Sequence, residues 1–121
     1  MNFSMLIYES PAAFALRSEP DAARREAYMS AWPRYTKALQ DAGVFVTGSG
    51  LQLPDTATTL TLLENGEHRV QDGPYADTKE QLGGFYIINV PDLDTALDWA
   101  SRIPAVPGSV IEVRPCLMPP A

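Results

Sequence analysis

"GFYIINVPDLDTALDWASRIP", residues 84–104, joins two different periodicities across a single acidic residue. Residues 84–90 form an apolar run rich in aromatic and β-branched side chains, the composition of a strand. Asp92 follows, a residue type whose carboxylate accepts the free N–H groups at a helix start. Beyond it Leu93, Ala96, Leu97, Ala100 and Ile103 recur at helical spacing, and Pro104 ends the pattern. A strand that feeds directly into an amphipathic helix implies a layered fold in which helices pack on a sheet.

Working outward, "FSMLIY" (3–8) alternates as a strand, with Phe3, Met5 and Ile7 on one face and Ser4, Leu6 and Tyr8 on the other. "SEPD" (18–21) reads as a helix start: Ser18 can cap, Pro20 suits the first turn and Asp21 favours the positive end. Tyr28, Ala31, Trp32, Tyr35, Leu39 and Ala42 continue the helix, and Gly43 stops it. Pro33 lies within this stripe, which predicts a kink or break near residues 30–32. "VFVTG" (44–48) reads as a strand. "TTLTLL" (58–63) and "HRVQ" (68–71) flank Asn65-Gly66 as a hairpin, and "SVIEVRP" (109–115) is the last strand. The order is strand, helix, strand, hairpin, strand, helix, strand, an α+β sandwich with two helices on one face of a mainly antiparallel sheet. Two helices cover one face only, whereas Leu6, Tyr8, Tyr86, Ile88 and Val90 are expected on the other. A homodimer that stacks two such sheets would bury that patch; loops 44–57 and 104–109 are the alternative cover.

Bulk properties narrow the function. The 121 residues suit one domain, 1–121, and 45% apolar with 20% charged residues is ordinary globular composition. Asp and Glu outnumber Lys and Arg 15 to 9, so no basic surface for nucleic acid is expected. The longest apolar runs, such as "AGVFV" and "FYII", fall far short of the ~20 residues that cross a bilayer, and no basic leader precedes one. The expected location is cytoplasmic, without a membrane partner. One histidine, one cysteine (Cys116) and scattered carboxylates have no metal-ligand spacing. The glycine pairs lack the lysine of a phosphate loop, so no cofactor is expected.

The chemistry-bearing candidates gather in and around "DGPYADTKEQLGGF" (72–85). Asp72-Gly73-Pro74 has the residues of a tight turn. Thr78 and Gln81 match a capping box, which predicts one helical turn opened by Asp77 or Thr78 and closed by Gly83-Gly84. Asp72 and Lys79 are the candidate acid/base groups, since burial or a charged neighbour would tune either. Tyr8, Tyr35, Gln52, Tyr75, Asp77 and Arg114 are candidate ligand contacts through phenol, amide, carboxylate and guanidinium groups.

Together with "MLIYES", "AGVFVTGSGLQLPDTATTL" and "IEVRP", this stretch resembles the YCII-related family in its DGPF-domain branch, over nearly the whole chain. Tyr75 stands where the name-giving motif has Phe, and Asp77 where Glu is usual. The resemblance implies a ferredoxin-like fold that pairs into a dimeric α/β barrel. Some more distant YCII-like proteins resemble lyases, including a dehydrochlorinase of a chlorinated hydroxyquinol, thought to use a His and Asp pair. That histidine would fall near Trp32, whereas the single histidine, His68, follows the Asn65-Gly66 turn as a solvated hairpin residue. The expected function is small-molecule binding in a pocket between the sheet and the first long helix. Its activity would be cofactor-free lyase or isomerase chemistry on a small polar or aromatic metabolite. The alternative is a non-catalytic ligand-binding or accessory module that dimerises through its sheet.

Overall fold

The structure is a computed structural model that describes residues 1–118. Its elements are β1 (Asn2–Glu9), α1 (Pro11–Ala15), α2 (Ala22–Asp41), β2 (Phe45–Gly50), β3 (Thr58–Leu62), β4 (His68–Asp72), β5 (Gln81–Asn89), α3 (Leu93–Ser101) and β6 (Val110–Pro115). Four strands form an antiparallel sheet in the order β2-β5-β1-β6, and β3 and β4 form a separate hairpin. This is an α+β fold, with three α-helices among the described residues. No helix among the described residues is long and apolar enough to cross a membrane.

The core lies between the sheet and the two longer helices. Phe3, Met5, Tyr86, Ile88 and Val90 from the sheet meet Tyr35 and Leu39 of α2 and Ala96, Trp99 and Ala100 of α3. Tyr35 pins the two helices together by donating its hydroxyl to the Trp99 carbonyl at 2.7 Å, and burial pushes that phenol's pKa up. Tyr86, Ile88 and Val90, expected on the far face, are therefore under the helices. The register explains the correction: Phe3 opposes Ile88 and Met5 opposes Tyr86, and directly opposed residues point to the same side. The far face has Leu6, Tyr8, Phe85 and Ile87 instead, all half-buried.

Three local expectations change as well. The long helix starts at Ala22, with Asp21 rather than Ser18 as its cap, accepting from the N–H groups of Ala23 and Arg24. It then runs without a break across Pro33. Side-chain bonds from Arg34 to the Ser30 carbonyl and from Thr36 to the Trp32 carbonyl reinforce the turns around the proline. Core packing of Tyr35 and Leu39 on the far side of Pro33 outweighs the ~3 kcal/mol a helix-interior proline costs. At its end Gly43 adopts φ +72, and the N–H groups of Gly43 and Val44 bond the Gln40 and Leu39 carbonyls in a Schellman closure.

The short helix α1, capped by Ser10, has no apolar repeat long enough to read from sequence, yet it buries Ala13 and Phe14. The predicted helical turn at residues 77–80 is absent. The Gln81 amide instead donates to the Ala76 and Thr78 carbonyls and holds those residues as an irregular loop. Gly83 and Gly84 lie inside β5, where Ile7 opposes Gly84 and Tyr8 opposes Leu82, so Gly83 is the extra residue of a bulge.

Candidate functional site

The cavity lies beneath the middle of α2, between that helix and the ends of β1, β2 and β5, and its volume is about 510 Å³. Its helix wall is Tyr28, Met29, Trp32, Pro33 and Thr36; its sheet wall is largely backbone, at Gly48, Gly50, Gly83 and Gly84. Tyr28 and Trp32 meet edge to face across one turn of α2 with ring centroids 6.2 Å apart. Phe45 and Tyr86 meet in the same way at 6.5 Å.

One carboxylate lies in this apolar setting. Glu9 ends β1 on the same parity as Phe3, Met5 and Ile7, so the strand directs its side chain inward, where it is 2% exposed. Charged groups are rarely buried this deeply unless paired. Arg17, delivered by the tight turn Leu16–Ser18 after α1, brings Nη2 to 3.5 Å from Glu9 Oε2. Its other contacts anchor it: it donates to the Leu51 and Gly83 carbonyls and lies over the Phe14 ring, 5.1 Å from the centroid. Tyr28 donates to Glu9 Oε1 at 3.3 Å. Burial, and next the Glu9 charge, raise the Tyr28 pKa, so the phenol keeps its proton and remains a donor at neutral pH. Glu9 Oε2 itself has no hydrogen-bond partner: the guanidinium stands at ion-pair distance without hydrogen-bond alignment. Glu9 thus sets a carboxylate in the wall of an aromatic-lined cavity, with Oε2 itself covered by protein atoms.

The bulge makes room for this carboxylate. A Cβ on Gly83 would stand 3.0 Å from Glu9 Cδ and 3.2 Å from Phe14 Cε1, and closer still to Glu9 Oε2.

The residues singled out from sequence are dispersed. Gln52 lines the cavity at its rim. Tyr35 is in the helix–helix core, and Tyr8 is on the far face of the sheet between Leu82 and Val110. Arg114 is exposed and pairs with Glu112 on that same face. Asp72 ends β4 opposite Thr58, exposed, while Tyr75 is 89% exposed and Asp77 is exposed in the following loop. Lys79 borders a second, more open depression of about 480 Å³ together with Thr78, Gln81 and Asp55. "DGPYADTKEQLGGF" thus contributes Gly83, Gly84 and Phe85 to the main cavity, and its charges lie outside it. His68 is exposed on β4, and Cys116 is a free, half-buried thiol whose backbone N–H bonds the Asn2 carbonyl. Among the described residues no group of three or more His, Cys, Asp or Glu side chains could hold a metal ion.

Comparison with known families decides the relationship: the YCII-related domain family matches residues 1–118. The chain belongs to the YCII-related family. It is 46% identical over 65 residues to an uncharacterised protein of Rhizobium meliloti (strain 1021), a match covering 52% of each chain. The chain therefore spans about half the length of the curated relative it matches, 52%. Within this YCII-related chain, Glu9 lies in "MLIYES" and the bulge glycine in "LGGF", so both halves of the site fall in the segments that carry the resemblance.

Proposed function

We propose that the protein binds a small, largely apolar metabolite beneath α2, and that Glu9 acts on it as the base of cofactor-free lyase or isomerase chemistry. The observation that carries this reading is Glu9, a 2% exposed carboxylate in the wall of an otherwise largely apolar cavity. A carboxylate so placed takes a proton from a bound carbon acid. The C–H electron pair becomes a new double bond as a leaving group departs from the adjacent carbon, or returns to a proton at another carbon. Tyr28 holds Oε1 and Arg17 balances the charge, so the carboxylate keeps one orientation. The fixed grip of Arg17 on the same carboxylate favours a second reading, a binding module without turnover.

A thermal-shift screen of small aromatic and hydroxylated metabolites, followed by product analysis of each stabilising compound, separates the two, because a ligand stabilises without turning over. For a compound that is converted, Glu9→Gln is expected to lower the rate by at least about a hundredfold, the usual range for a general base. Unchanged turnover in that variant removes Glu9 from the chemistry.

The strand order β2-β5-β1-β6, read without the hairpin, is the split βαβ arrangement of ferredoxin-like proteins. We propose that two such sheets stack through their far faces in a homodimer, which would cover Leu6, Tyr8, Phe85 and Ile87 and the 53% exposed Val110. Light scattering behind a sizing column is expected to give twice the chain mass, and Leu6→Lys to give the single-chain mass. A wild-type monomer would overturn the dimer.

A further inference from the structure

We infer that Pro33 serves ligand recognition: it leaves the Met29 carbonyl as a backbone acceptor on the helix wall of the cavity, which selects an aromatic molecule bearing an O–H or N–H donor. This rests on the reading above that the cavity binds a small molecule, and adds the group that chooses among such molecules.

The proline carries a cost with no local return. Pro33 lies in the middle of the 20-residue α2, far from the first turn, where a missing N–H would cost nothing. In the α-helical ladder its N–H would have gone to the carbonyl four residues back, that of Met29. Packing does not account for the residue, because Pro33 is exposed and stands outside the core cluster. The backbone supplies no substitute: the ladder commits the Trp32 N–H to Tyr28 and the Arg34 N–H to Ser30. Neighbouring carbonyls gain extra donors, that of Ser30 from Arg34 Nε at 3.3 Å and that of Trp32 from Thr36 Oγ1 at 3.1 Å. Among the described residues no side-chain donor reaches the Met29 carbonyl.

This acceptor borders the cavity. A helix carbonyl points along the axis toward the residue four places on, so that of Met29 lies between the side chains of Met29 and Pro33. Both residues line the cavity, and Met29 is 42% exposed. An accessible carbonyl is hydrated until a ligand covers it, and a ligand without a donor then leaves it unpaired. A carbonyl only accepts, so the preference is for a hydroxyl or an N–H over an ether, a tertiary amine or an anion at that position. The remaining walls set the rest of the class. Tyr28, Trp32, Phe45 and Tyr86 present rings opposite a floor of glycine backbone, which suits a planar aromatic body.

Calorimetric titration with two matched pairs tests this: naphthalen-2-ol with 2-methoxynaphthalene, and indole with 1-methylindole, where a methyl group replaces the donor proton. Wild-type protein is expected to bind the donor of each pair about fivefold more tightly, the worth of one net hydrogen bond. Pro33→Ala and Pro33→Val both return an N–H to the Met29 carbonyl while differing in volume. Each is expected to weaken naphthalen-2-ol and indole about fivefold and to leave the methylated partners within about twofold of wild type. A change in room alone would not act on both variants alike. Met29→Leu alters the side chain, keeps the carbonyl and should keep the preference. Pro33→Ala should also raise the urea midpoint, because the helix regains its hydrogen bond and loses the proline clash. Methylated probes that bind wild-type protein as tightly as their partners, or a preference that survives in both Pro33 variants, overturn the inference while leaving the cavity as a binding site. A lower urea midpoint in Pro33→Ala overturns it too, since the carbonyl would then be better satisfied beside proline. Binding by none of the probes also overturns it, and the reading of the cavity then stands or falls on the metabolite screen and Glu9→Gln.

Discussion

Arg17→Met is expected to lower unfolding free energy by about 3 kcal/mol, the lower end of the range for breaking a buried pair. The lower end applies because the Arg17 side chain is 25% exposed while Glu9 is 2% exposed, so water reaches one partner only. The loss comes from what remains: a carboxylate under α2 whose nearest cation is gone, and the Leu51 and Gly83 carbonyls without their shared donor. Domain stabilities are of order 5–15 kcal/mol, so the variant should fold with a much lower urea midpoint. Adding Glu9→Gln to Arg17→Met should restore most of the loss, because a neutral amide needs no counter-charge. The pair would then show strong coupling in a double-mutant cycle. A loss below about 1 kcal/mol for Arg17→Met would mean that solvent screens Glu9 as it does a surface ion pair, and the site would lose its physical basis.

Gly83→Val should be nearly as damaging for the opposite reason, too much material instead of too little charge. The added Cβ meets Glu9 Oε2 and Cδ on one side and the Phe14 ring on the other, and both neighbours are buried. Overpacking of this kind costs about 1–3 kcal/mol, and the upper part of that range is expected because the first atom to yield is a charged oxygen. The readouts are a lowered urea midpoint and loss of binding by any ligand that docks on Glu9. Gly83→Ala, with the Cβ alone, should lie between. Full stability in Gly83→Val would require Glu9 to swing out into water, and its carboxylate would then no longer belong to the cavity.

The element order is legible in the chain because each transition is marked by chemistry that acts locally: Asp92 at a cap, Asn65-Gly66 at a hairpin, Gly43 at a helix end. The side to which β5 turns its residues is not legible, since Phe85 and Ile87 are as apolar as Tyr86 and Ile88. Only the register with β1 decides it, and register is a long-range property. The site follows the same division. Glu9 was detectable as a charge on the buried parity of a strand, and Tyr28 and Trp32 already shared a helical stripe. Arg17 was not, because nothing in a five-residue helix and a tight turn foretells which carboxylate its guanidinium will reach. The charges of "DGPYADTKEQLGGF" drew notice by their density, but density of charge usually marks solvation, and the loop is exposed.

The glycine wall of the cavity bears on how this pocket can diverge among relatives. A side chain at Gly48 would strike the Tyr86 ring at 2.7 Å, one at Gly84 the Ser49 carbonyl at 2.9 Å, and one at Gly83 the buried carboxylate. Gly50 alone on that wall has open space before it, and the other three positions are closed to gradual change, since the first step at each is a collision. The helix opposite is open to it: Met29 is exposed, and Met29, Trp32 and Thr36 project from a scaffold held by Asp21 at one end and Gly43 at the other. New ligand preferences in this lineage should therefore arise by substitution along one face of one helix and at Gly50, with Gly48, Gly83 and Gly84 kept as an unvarying anvil.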